Sequence, residues 1–181
     1  MKILVLANIP PYSKGGAETQ ARFLAEEFVS MGHSVTVAGN EIPKHVDSGL
    51  FSFEVIRIPT IRWSKFLRAV SYFLSVAWLI IRRSKNYDVI YCRFLGEAAL
   101  SVCVVKHLFR LNIPLVPCTA CAGKMGDADY VRKMPFSRYL VRLINNNCNA
   151  INNISPKIGE ELEAIGIDSQ LLRYFPNGIR V

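Results

Sequence analysis

A doubly wound α/β domain on a seven-strand, mostly parallel sheet is the fold class the sequence predicts, and three observations predict it. Seven apolar runs of strand length recur along 181 residues, helical stretches separate most of them, and the first run passes through a glycine pair into a helix. With 51% apolar and 20% charged residues the chain can bury one full-sized core, which excludes disordered and collagen-like classes. At roughly 150 residues per domain there is room for one large domain and little else. Residues 1–175 therefore read as that domain and 176–181 as the start of a linker.

Lys2–Asn8 (KILVLAN) is the apolar run of a buried parallel strand, and Ile9–Gly16 is the loop after it. Ala17, Ala21, Leu24, Phe28 and Met31 recur at spacings of three and four, an apolar stripe on one helix, and Gly32 stops it. Ser34–Ala38 (SVTVA) and Phe53–Ile58 (FEVIRI) are the second and third strands, separated by a polar stretch with Pro43 and Gly49. Arg62–Lys85 is helical; its uncharged centre, the 13 residues Ala69–Ile81, is too short to span a bilayer.

Asp88–Cys92 (DVIYC) is a fourth strand, Glu97–Arg110 a helix and Pro114–Thr119 (PLVPCT) a fifth strand, at the spacing of successive βα units. Pro117 lacks the N–H that a ladder needs, so an edge position or a local irregularity is expected there. Residues 120–134 show neither period and read as the longest candidate functional loop. Pro135–Asn147 is helical and Ala150–Ile154 a sixth strand. Ser155-Pro156 supplies the N-cap and first-turn proline of a helix that reaches Ile165, and Leu171–Phe175 is the seventh strand.

Twenty-two Lys and Arg against 14 Asp and Glu give a net charge of +8, a field that attracts anions. Nucleic acid is not expected among them, because the chain has no helix-turn-helix pattern, no zinc-finger spacing and no basic run interleaved with aromatics. The five cysteines form an odd set behind an N-terminus without a secretory pattern, so reduced thiols in a cytoplasmic chain are expected. Cys118-Thr-Ala-Cys121 has no second pair to complete four ligands, and no metal or resident cofactor is expected.

The first loop carries the best local signal. Gly15 and Gly16 place unhindered backbone N–H groups at the positive end of a helix, which suits a diphosphate, although a glycine pair also serves as a plain turn. The loop matches neither GxGxxG nor a Walker A sequence, which disfavours a nicotinamide enzyme and a P-loop ATPase. Arg93 directly follows the fourth strand, where open parallel sheets hold ligands, and with Lys124 it can meet an anionic ligand. Arg62, Lys65, Arg68, Arg82, Arg83 and Lys85 flank Phe66, Leu67, Tyr72, Phe73 and Trp78, a pattern that fits either a core helix with charged ends or a segment drawn to anionic lipid.

Five segments in sequence, Gly15-Gly-Ala-Glu18, Met31-Gly-His-Ser-Val-Thr-Val37, Tyr87-Asp-Val-Ile-Tyr91, Ile154-Ser-Pro-Lys157 and Phe175-Pro-Asn-Gly178, resemble the N-terminal half of the retaining glycosyltransferases of the group 1 type, called family 4. The resemblance covers Lys2 to Gly178 and implies the N-terminal, Rossmann-like, acceptor-side domain of a GT-B fold. It implies a hexosyltransferase-type enzyme of polysaccharide biosynthesis that moves a sugar from a nucleotide-sugar donor, with retention, to a glycan or lipid-linked acceptor. The donor-binding C-terminal domain of that fold lies outside these residues, so the 181 residues alone are expected to be inactive.

By the same resemblance Gly15 and Gly16 approach the donor diphosphate, and Gly123-Lys-Met-Gly-Asp127 stands where many members carry a histidine. Gly126 joins Arg93 and Lys124 as an acceptor contact, and Asp127 becomes the candidate catalytic residue, orienting a hydroxyl or acting as a weak base. Retaining transfer is usually described as front-face attack in which the departing diphosphate takes the proton, so a base in this half is not required. Two other readings stay open: a single-domain, non-catalytic binding protein for a phosphorylated metabolite, and a module peripheral at the inner face of an anionic membrane.

Overall fold

The computed structural model describes residues 1–47 and 49–178. Its strands are β1 (Lys2–Leu6), β2 (Ser34–Gly39), β3 (Glu54–Arg57), β4 (Val89–Arg93), β5 (Leu115–Cys118), β6 (Ile151–Asn153) and β7 (Leu172–Tyr174). They form one seven-stranded sheet in the order β3-β2-β1-β4-β5-β6-β7, and every pair with a described register is parallel. Helices α1 (Gly16–Ser30), α2 (Lys65–Arg83), α3 (Glu97–Phe109), α4 (Asp127–Lys133), α5 (Ser137–Asn147) and α6 (Pro156–Ala164) lie in the crossovers other than that from β2 to β3. The strand order reverses at β1, as a doubly wound sheet requires.

Two compact units make up the chain, Met1–Tyr91 and the part from Cys92 onward. In the first, Ile3, Val5, Val35 and Val37 of adjacent strands pack with Ala21, Ala25, Ile9 and Phe53 as one buried cluster. Small alanines on the buried face of α1 let the helix approach the sheet closely. The predicted stripe is shorter than expected: Met31 is 63% exposed, because the helix has already ended. Gly32 takes φ +83°, which frees the His33 N–H for the Phe28 carbonyl and the Gly32 N–H for that of Val29, a Schellman stop.

In the second unit α3 is buried over most of its circumference, through Ala98, Ala99, Leu100, Val102, Cys103 and Val105. Pro117 lies inside β5, which has neighbours on both sides, and the described β5–β6 register is the single pair Cys118↔Asn152. The expected irregularity is therefore a short ladder, since proline has no N–H to donate. The stretch 120–134, predicted as a loop, contains a 3-10 turn at Gly123–Met125 and the helix α4. Two turns are too few to show a period. What holds them is charge placed along the helix dipole: Asp127 and Asp129 in the first turn, Arg132 and Lys133 in the last, with Asp129 paired at 2.6 Å to each cation. Those two cations hold the Asp129 carboxyl below its ordinary pKa.

Residues 176–178 carry no regular structure, and the rest of the predicted linker start, residues 179–181, lies outside the described residues. Among the described residues no helix is long and apolar enough to cross a membrane.

Candidate functional site

In the first unit the loop after β1 is closed by a tight turn, in which the Tyr12 and Ser13 N–H groups both donate to the Ile9 carbonyl. Gly15 is the N-cap of α1 with extended backbone, so no side chain caps the helix. The Gly15 carbonyl accepts instead from the Thr19 N–H at 3.0 Å and from its Oγ1 at 2.8 Å. The carboxylate of Glu18 lies over Gly15, where a β-carbon would strike it, whereas a β-carbon on Gly16 would meet only open space. The positive helix end is thus covered by its own carboxylate, and Gly16 leaves backbone open.

The second unit builds its constellation from the ends of β4 and β5. Arg93, the last residue of β4, is only 7% exposed, which excludes a solvated surface arginine. Its Nη1 donates to Cys118 Sγ at 3.1 Å, and its guanidinium lies 5.9 Å from the Phe94 ring centroid. Among the described residues its buried Nε has no partner and no carboxylate pairs with it. Phe94 then takes φ +71°, a conformation that a bulky residue adopts at a cost of about 1–3 kcal/mol when the surroundings impose it. Its N–H is held by the Cys118 carbonyl at 2.8 Å.

Asp127 ties the neighbouring loops together. Its carboxylate accepts from the Leu95 N–H at 2.7 Å through one oxygen, and from Ala120 and Cys121 at 2.9 and 3.3 Å through the other. One buried side chain therefore joins the loop after β4, the loop after β5 and the start of α4. Gly126, just before it, is sterically obliged: a β-carbon would lie 2.5 Å from the Cys121 carbonyl oxygen. Glu161 of α6 accepts the Gly123 N–H through both oxygens at 3.1 and 2.9 Å, anchoring the far end of the turn. Lys124 is exposed on that turn, and no hydrogen bond or ion pair joins it to Arg93 among the described residues.

Sequence reasoning singled out Arg93, Gly126 and Asp127, weighed Cys118 only as half of a Cys-x-x-Cys pair, and missed Phe94 and Glu161. Left-handed backbone at a phenylalanine leaves no trace in composition, and Glu161, 38 residues from Gly123, reads as one of several helix-surface acids. Cys118 is buried beside Arg93 while Cys121 is exposed, and no cluster of three metal-ligating side chains is found among the described residues.

The family model described as Glycosyltransferase Family 4 matches residues 14–181. No curated protein matches the sequence. Among solved structures, Anabaena HepE in complex with UDP-glucose superposes with a TM-score of 0.66 at 18% identity, over 99% of this chain and 44% of that one. The lipopolysaccharide outer core galactosyltransferase WaaB, in its apo form, gives 0.62 at 15% identity, over 99% and 47%. UDP-GlcNAc 2-epimerase from Methanocaldococcus jannaschii gives 0.57 at 11%, over 96% and 45%. At such identities the likeness is one of fold, a GT-B half, and the chain spans less than half the length of each of these structures.

Proposed function

The chain belongs to Glycosyltransferase Family 4, and from that premise we propose that it forms the acceptor-side half of an enzyme that moves a hexosyl unit from a nucleotide sugar, with retention, to a glycan or lipid-linked acceptor. The observation that carries this reading beyond the family is Arg93, a buried cation at the carboxyl end of β4 with a sulfur and a ring for company and no counter-ion among the described residues. Burying such a charge is costly unless something pairs with it, and an anionic group on the acceptor supplies the missing partner. Lys124, on the exposed turn, is a second cation for the same acceptor, and the Gly126 backbone shapes the loop that carries it.

Gly15 and Gly16 are proposed to face the donor diphosphate, the Glu18 carboxylate yielding the helix end to it. Asp127 is assigned a positioning role: its oxygens are taken by three backbone donors, and front-face transfer hands the acceptor proton to the departing diphosphate, so no base is asked of this half. Replacement of Gly16 by valine tests the diphosphate contact. In an enzyme completed by a donor-binding domain, Gly16→Val should lower kcat/KM by about tenfold or more through obstructed backbone approach, with the melting temperature preserved. Unchanged kinetics would remove the glycine pair from the site.

Titration calorimetry of the 181-residue chain with a panel of nucleotide sugars tests the division of labour. With a glycine pair as its sole donor contact, the chain should bind none of them more tightly than about millimolar, near 4 kcal/mol, and should transfer no sugar. Micromolar binding or measurable turnover would show a site complete within these residues. Tight binding of a phosphorylated metabolite without transfer would instead favour a non-catalytic binding protein.

A further inference from the structure

Helix α2 is apolar on two opposite faces. Tyr72, Val76, Leu79 and Ile80 are buried. On the other side, Phe66, Leu67, Val70, Leu74, Trp78 and Ile81 fall within one arc of about 120° at 100° per residue, and all are exposed, Phe66 by 76%, Leu74 by 59% and Trp78 by 60%. Trp63, just ahead of the helix, is 92% exposed. The polar side between the faces is already occupied: the Ser71 Oγ accepts from the Ile61 N–H and the Ser75 Oγ donates to the Pro59 carbonyl. A water-facing apolar stripe as long as the helix, about 28 Å, exceeds what an isolated surface leucine or two would need to explain.

The charge around the stripe identifies its partner. From Val55 to Tyr87 the sequence has seven Lys and Arg and no acidic residue. Arg83 is turned inward to Glu54 at 3.4 Å, so it belongs to the fold. Arg82 lies over the Trp78 ring at 5.5 Å, at the border of the stripe, and Lys85 is exposed one turn on. A second copy meeting the same face would bring cations onto cations at both ends. An anionic lipid surface answers both features at once, with acyl chains for the apolar arc and headgroup phosphates for Arg82, Lys85 and Arg62, whose Nη2 also donates to the Asn40 carbonyl at 3.3 Å. Tryptophan at both ends of the stripe suits the headgroup level, where an amphipathic ring is best accommodated.

We infer that the outward face of α2, from Trp63 to Lys85, is an in-plane anchor that seats this chain on an anionic membrane, independently of the sugar chemistry. Both tryptophans of the chain lie on this face, so intrinsic fluorescence reports on it alone. The 181-residue chain should float with vesicles of two parts phosphatidylcholine to one part phosphatidylglycerol but not with phosphatidylcholine alone. Its emission should shift to the blue on binding and be quenched by lipids brominated in the acyl chains, and rising salt should release it. Leu74→Asp should weaken binding by about 30-fold or more, by removing apolar area and adding a repelled charge. Arg82→Gln with Lys85→Gln should weaken it by about 25-fold, near fivefold for each charge.

All three positions are exposed, so the variants should keep the parent melting temperature, and a variant that loses it is replaced by Phe66→Ser, at the other end of the stripe. Absence of flotation by the parent chain, equal binding to both kinds of vesicle, or binding indifferent to Leu74→Asp and Phe66→Ser would overturn the inference. So would a stable dimer in sedimentation that Leu74→Asp dissociates, since the stripe would then be covered by a second copy.

Discussion

Replacing Asp127 by alanine should be the most destabilising single substitution in the second unit, at about 3–5 kcal/mol. Three backbone N–H groups that now donate to its two oxygens would lose their acceptor, one of them fully buried, and an unsatisfied buried donor costs about 1–3 kcal/mol. Asp127→Asn should fall between, because the amide keeps one acceptor oxygen and turns its NH2 toward another donor. Denaturant unfolding of the two variants measures this directly. A melting temperature unmoved in Asp127→Asn together with lost turnover would return Asp127 to the reacting centre as a base.

The opposite signature is expected at Arg93. Arg93→Met fills a similar volume and removes a buried charge that no carboxylate among the described residues balances, so the fold should be as stable as before or more so. Turnover with an anionic acceptor should nevertheless drop by about 100-fold or more, because truncating one partner of a buried ionic contact costs about 2–5 kcal/mol in the complex. Stability gained while activity is lost marks a residue kept for a ligand. A parallel fall in both would instead make Arg93 an ordinary part of the core around Cys118.

The fold was legible because parallel strands buried on both faces, such as Lys2–Leu6 and Ser34–Gly39, write themselves as continuous apolar runs, and because Gly32 and Ser155-Pro156 mark helix ends with chemistry that serves little else. Helix α4 was not legible, since seven residues held by end charges carry no stripe. At the candidate site the residue types were visible and their circumstances were not. Arg93 looks in sequence like any surface arginine, and its burial shows only in the folded chain, where Cys118, 25 residues on, comes to its guanidinium. In α2 the reading was undecided for a physical reason: a helix apolar on two faces has no single stripe, and only the packed structure separates the buried face from the exposed one.

The strand order also governs what the edges of the sheet offer to another chain. A sheet that does not close leaves two rims of unpaired peptide groups on which a neighbouring chain can continue the ladder. Here the rims are β3 and β7, and each is a poor template. Strand β7 has three residues with Arg173 at its centre; β3 has four, opens on Glu54 and closes on Arg57, so a strand added there would meet charge at each end. The longer, largely apolar strands β1 and β2 are kept inside, and polymerisation through the sheet is discouraged by where the shortest and most charged segments happen to lie.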